Sequence, residues 1–79
     1  MNPVAVAEII LKGIVSHPDA VEIKRSDDED AIRLGVRVDP EDVGKIIGRQ
    51  GRTIQAIRTV LRASGAKQQE IIYLDLLNE

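Results

Sequence analysis

The spacing of apolar residues changes several times along the chain, and each change predicts an element. Val6, Ile9, Ile10 and Ile14 recur at helical intervals. They follow Asn2-Pro3, an N-cap residue with proline at the first helical position, and Ser16-His17-Pro18 closes the segment. Residues 21–25 alternate as a short strand, and Ser26-Asp27-Asp28-Glu29-Asp30 reads as an acidic turn. A longer alternation then places Ile32, Leu34, Val36 and Val38 on one sheet face, with Arg33, Gly35 and Arg37 on the other. Asp39-Pro40-Glu41-Asp42 repeats the cap-then-proline signal and starts a short helix carrying Val43, Ile46 and Ile47. A second helix spans residues 52–64, with Gly65 as its stop, and residues 71–76 form a last strand. The α-β-β-α-α-β order predicts an α+β fold, a three-stranded sheet with helices packed on one face.

Composition narrows the class. The 79 residues, 1–79, make one domain, near the lower end of what a single hydrophobic core stabilises alone. There is no cysteine, so disulfides and thiolate metal sites are excluded. No apolar run approaches the roughly 20 residues of a membrane span, and the first 15 residues lack the basic start and cleavage site of a signal peptide. A cytoplasmic protein without membrane insertion is the expectation.

Charge is segregated. The chain carries 13 acids and 11 bases, a net charge of -2. Yet residues 43–67 contain Lys45, Arg49, Arg52, Arg58, Arg62 and Lys67 and no acid, leaving five bases and all 13 acids to the other 54 residues. This is a local positive footprint on an acidic background. For Arg58, Arg62 and Lys67 the alternative is a solvated helix face.

Inside that footprint lies Val43-Gly44-Lys45-Ile46-Ile47-Gly48-Arg49-Gln50-Gly51-Arg52-Thr53-Ile54. Gly48 and Gly51 allow a very short loop to adopt angles barred to other residues and to admit a phosphate close to its N–H groups, while the next helix aims its positive end at the same place. Arg49, Gln50 and Arg52 supply charge and donors but no catalytic group. The segment lacks the Lys-Ser/Thr pair of a P-loop and the three glycines of a dinucleotide fingerprint. His17 has no second histidine, cysteine or nucleophile beside it, and Asp27–Asp30 lack the spacing of a calcium loop, so neither a catalytic nor a metal role is expected. No cofactor is implied.

The segment resembles the KH-domain signature, an isoleucine-glycine-x-x-glycine core with a following isoleucine. The element order resembles the type II version of the fold, with residues 2–25 matching its extra helix and strand. Length, order and residues 48–58 together resemble the KhpA family of small stand-alone bacterial KH proteins that bind RNA. The resemblance implies about four single-stranded nucleotides held with their backbone on the Gly48-Arg49-Gln50-Gly51 loop and their bases on an aliphatic groove. Gly48 and Gly51 then admit the backbone, Arg49 and Arg52 neutralise phosphates, and Gln50 and Lys45 add donors. Ile46, Ile47 and Ile54, with Leu34 or Val36, are the groove candidates, each of which also reads as core. Single-stranded DNA remains open beside RNA. Tyr73 is the sole aromatic, so base stacking is limited and one domain should bind weakly.

The second helix has an unusually broad small or apolar arc, in which Thr53, Ala56, Val60, Ala63 and Ser64 widen the core stripe of Ile54, Ile57 and Leu61. Ala56, Val60 and Ala63 are candidates for a dimer interface, the alternative being a broad core face. The KhpA resemblance implies self-pairing or pairing with a larger KH protein of the KhpB or Jag type. Two functions follow: a non-enzymatic RNA-binding regulator or RNA chaperone, and a pairing module whose RNA surface works only in a complex. A nucleotide-using enzyme is the least supported.

Overall fold

The computed structural model describes residues 2–78. Helix α1, Pro3–Ile14, begins where the Asn2 side chain accepts a hydrogen bond from the Val4 N–H at 2.9 Å, and ends as Val15 turns to extended backbone. Its buried stripe is Pro3, Ala7 and Leu11. Val6, Ile10 and Ile14 flank the core as expected, but Ile9 is 66% exposed. The expected stripe was centred too far round the helix, because the small residue Ala7 did not stand out as a core position.

Strands β1, Glu22–Asp27, and β2, Ala31–Arg37, form an antiparallel hairpin in which Ile23 faces Val36 and Asp27 faces Ile32. β1 therefore runs through Ser26 and Asp27, assigned above to the turn. The turn itself is tighter, closed by the Asp28 N–H on the Ala31 carbonyl at 2.8 Å. Strand β3, Ile71–Leu76, lies parallel to β2 on its other side, giving the order β1-β2-β3. A parallel neighbour needs a long crossover, here supplied by the helical region between β2 and β3. That region contains α2, Val43–Ile47, and α3, Arg52–Ala66.

Leu34, Val36, Ile72 and Leu74 from the sheet meet Ala7, Leu11, Ile46, Ile54, Ile57 and Leu61 from the helices. This α+β arrangement, three helices on one face of a three-stranded sheet, is the type II KH fold. Helix α3 passes Ser64 and continues to Ala66. Gly65 is a packing position inside it: an added Cβ would stand 2.5 Å from the Glu70 carbonyl oxygen and 2.9 Å from Ile72 Cδ1. Beyond β3, Leu77 lies over Gly35, and Asn78 both accepts from the Val38 N–H at 3.0 Å and donates to its carbonyl at 2.8 Å.

Candidate nucleic-acid interface

The junction of α2 and α3 is where the local chemistry of the glycines shows. Gly48 ends α2 at φ 76°, ψ 176°, a conformation essentially confined to glycine. Gln50 follows at φ 58° and Gly51 at φ 73°, both left-handed. The Gly48 N–H bonds the Gly44 carbonyl at 2.9 Å and the Gly51 N–H bonds the Gly48 carbonyl at 3.2 Å, so the reversal is tied down at both ends. Thr53 presses against Gly48: an added Cβ would lie 2.6 Å from Thr53 Cβ and 2.9 Å from its nitrogen. Gly51 has open space beside it.

No side chain caps α3 and no acid occupies its first turn, so the protein leaves the positive end of this helix unneutralised. Arg49 is exposed and has no ion-pair partner among the described residues. Arg52 donates to Gln50 Oε1 at 3.2 Å, leaving the Gln50 amide nitrogen as a donor. The loop is thus an anion-seeking surface without a base or nucleophile.

Lys45, assigned above to the same donor set, is held elsewhere. Its ammonium hydrogen-bonds Ser16 Oγ and lies 3.5 Å from Asp42 Oδ1. Asp42, in the sequence no more than the last residue of the cap-then-proline signal, is fully buried. It accepts from the N–H groups of Ser16 and His17, each at 3.0 Å, and from His17 Nδ1 at 3.2 Å. Burial works to raise this carboxyl, but those hydrogen bonds hold it below the usual carboxylate range. Asp42 anchors the start of α2 to the corner between α1 and β1. Its 25-residue separation from His17 carries no local signal in the sequence.

The apolar candidates separate. Ile46 is fully buried and Ile54 8% exposed, in the core with Leu34 and Val36, while Ile47 remains 39% exposed beside the loop. The central strand β2 therefore offers no groove wall. β3 does, because it is an edge strand with α3 alongside. Gln55, Arg58 and Arg62 of α3 and Ile72, Tyr73, Leu74 and Asp75 of β3 line a shallow cavity of about 270 Å³. Arg58 crosses it, donating through Nε to the Leu74 carbonyl at 3.0 Å. At helical spacing, Gln55, Arg58 and Arg62 form a polar row along the β3 side of α3, beginning one turn beyond Arg52 of the loop. Tyr73 points to the outer face of the sheet, where the Arg33 guanidinium covers its ring at 4.9 Å, so it is not a free stacking surface.

Ala56, Val60 and Ala63 lie on exposed turns of α3, Val60 being 49% exposed, which removes the broad-core alternative for this arc. Among the described residues no helix is long and apolar enough to cross a membrane.

Comparison with known proteins agrees with this anatomy. Residues 5–76 match the family model described as "KhpA/KhpB, KH domain". An "RNA-binding protein KhpA" from Halalkalibacterium halodurans is 39% identical over 71 residues, 90% of this chain and 93% of that protein. The protein of the same name from Borreliella burgdorferi is 40% identical over 77 residues, covering 98% and 94%. That from Streptomyces coelicolor is 42% identical over 69 residues, 87% of each chain. Among solved structures, Aquifex aeolicus Era bound to GDP and aluminium fluoride superposes with a TM-score of 0.67 at 15% identity, over 94% of this chain and 29% of that one. Era in complex with MgGDPNP and nucleotides 1506–1542 of 16S ribosomal RNA gives 0.68 at 16% identity, over 94% and 28%. The chain spans less than a third of Era, and the likeness is one of fold. By sequence over nearly its whole length, the chain belongs to the KhpA/KhpB family of KH-domain proteins.

Proposed function

We infer that this protein binds single-stranded RNA without catalysing a reaction on it. The observation that carries the reading is the α2–α3 junction. A Gly48-to-Gly51 loop with three positive-φ residues sits on an uncapped, acid-free helix start, with Arg49 free of any ion pair among the described residues. The RNA backbone lies against Gly48, Arg49, Gln50 and Gly51, with Arg52 on an adjacent phosphate. The bases extend over Ile47 and along the row of Gln55, Arg58 and Arg62 beside the β3 edge. Ile46 and Ile54 form the floor of this site rather than its contact surface, and Lys45 serves through its bond to Ser16 and Asp42. The name of the related KhpA proteins, RNA-binding protein, supports the ligand class.

With two phosphate contacts, from Arg49 and Arg52, affinity for a single strand should fall roughly 7-fold between 50 and 200 mM salt. The test is fluorescence-detected binding of a pool of short single-stranded RNAs across that range, for the native chain and for an Arg49→Asp, Gln50→Asp double variant that keeps both glycines. Salt-sensitive binding lost in the variant supports the reading; equal binding by both chains refutes the loop grip. Single-stranded DNA of the same sequences serves as the comparison ligand.

A second reading rests on a separate observation, the exposed Ala56, Val60 and Ala63 on α3. Such an apolar strip suits self-pairing or docking to another KH protein of the KhpA/KhpB family, which would add avidity to a weak single site. Both activities fit a post-transcriptional regulator or RNA chaperone acting as a pair.

A further inference from the structure

At the end of α2 opposite the loop, the chain's sole histidine is held against the buried Asp42 carboxylate. A carboxylate only accepts hydrogen bonds, so the contact of His17 Nδ1 with Asp42 Oδ2 at 3.2 Å puts the ring proton on Nδ1. Asp42 has no freedom to leave: it is fully buried, and two backbone N–H groups hold it. With Nδ1 so committed, the lone pair of a neutral ring sits on Nε2, the nitrogen that faces Glu41. Glu41 Oε2 is 3.8 Å away, and ligand atoms of His17, Asp39 and Glu41 all lie within 4.8 Å of one another.

This is the carboxylate–histidine pattern that orients imidazoles toward metal ions, with the carboxylate fixing the tautomer and raising ligand basicity. We propose that His17 Nε2, Glu41 and Asp39 form a three-ligand site for Zn²⁺, with water completing the tetrahedron. Neighbouring ligand atoms around tetrahedral zinc stand about 3.4 Å apart, so closure requires a movement of about 1 Å. The Glu41 side chain is 80% exposed and free to make it. Asp39 retains a ligand oxygen, since Oδ1 accepts the Glu41 N–H at 2.9 Å and Oδ2 is available. Asp42 acts as the positioning residue behind the histidine, both of its oxygens being committed to protein hydrogen bonds. The imidazole selects a borderline ion over Mg²⁺, which prefers an all-oxygen shell. A bound ion would join the corner ahead of β1 to the turn ahead of α2, bracing the helix that leads into the Gly48 loop.

The test uses the full chain without an affinity tag, ¹⁵N-labelled at its histidine, titrated with ZnCl₂ and in parallel with MgCl₂. Zinc should move the Nε2 resonance saturably while Nδ1 keeps the signal of an N–H nitrogen. At about 100 times the dissociation constant, zinc should raise the melting temperature by on the order of 10 °C. Mg²⁺ should do neither. His17→Gln should abolish the zinc-induced stabilisation, and Glu41→Gln should weaken zinc binding about tenfold or more. The proposal is overturned if millimolar zinc leaves Nε2 unmoved, if Mg²⁺ acts equally, or if zinc stabilises His17→Gln as well as the native chain, which would put the ion on the acidic turn at residues 27–30. Should His17→Gln fail to fold, undiminished zinc affinity in Glu41→Gln overturns it instead.

Discussion

Replacing Gly48 by alanine isolates what the loop geometry demands. At φ 76°, ψ 176°, an L-residue carries about 1–3 kcal/mol of backbone strain. The new Cβ would also lie 2.6 Å from Thr53 Cβ and 2.9 Å from the Thr53 nitrogen, which belongs to the first turn of α3 and moves only with that helix. Overpacking of this kind adds about 1–3 kcal/mol, for a total of about 2–6 kcal/mol. A domain of this size has about 4–12 kcal/mol in all, so Gly48→Ala takes away a large share. Gly51→Ala is the internal control. Its φ of 73° and ψ of 14° are left-handed, but nothing lies within 4 Å of the added Cβ. Only the left-handed penalty remains, about 1–2 kcal/mol. Urea melts of the three chains at one pH and temperature measure the difference directly. The expected order is native, then Gly51→Ala, then Gly48→Ala, with at least about 1 kcal/mol between the two variants. Equal stability of the variants, or the reverse order, would refute the packing of Thr53 on Gly48 and with it the described loop.

Three further outcomes follow from the same structure. Gly65→Ala should destabilise by about 1–3 kcal/mol in a thermal melt, although alanine ordinarily gains about 1 kcal/mol over glycine in a helix, because its Cβ would meet the Glu70 carbonyl at 2.5 Å. The Asp42 carboxyl is held low in the folded chain, so the stability it contributes is complete above its ordinary pKa, about 3.9, and is lost as pH falls below that value. In chelator-containing buffer the native melting temperature should drop across that acid window more steeply than that of Asp42→Asn, which should already be less stable at neutral pH. Val60→Glu should leave the melt of the monomer nearly unchanged, since Val60 is 49% exposed, while sedimentation shows loss of self-association seen in the native chain at high concentration. A native chain that stays monomeric removes the homodimer reading.

The periodic parts of the fold were legible because alternation and helical spacing report burial directly. β2 is the plainest case, with Ile32, Leu34 and Val36 buried in the predicted phase. Gly48 and Gly51 were legible because positive φ leaves a mark in residue type. What escaped depends on tertiary proximity. The polarity of α1 slipped because Ala7 and Pro3 do not register as strongly apolar, whereas Ile9 does. Gly65 looked like a helix stop because the arrival of Glu70 and Ile72 against it is a packing fact. Leu34 and Val36 stand among the groove candidates beside Ile46, Ile47 and Ile54 because the alternation of β2 does not say whether the strand is central or an edge, and the β1-β2-β3 order leaves β3, not β2, beside the open side of α3. Lys45 looked like a loop donor by position, but the buried Asp42 and Ser16 claim its ammonium from across the fold.

The most direct test of the account is amide chemical-shift mapping of the native chain titrated with a short single-stranded RNA at low salt. The account predicts that perturbations concentrate on residues 47–55 and extend along Arg58 and Arg62 of α3 to residues 72–75 of β3. Salt should erase them together. Perturbations confined to β1, the outer sheet face or the His17 corner, with residues 48–52 unmoved at saturation, would contradict it.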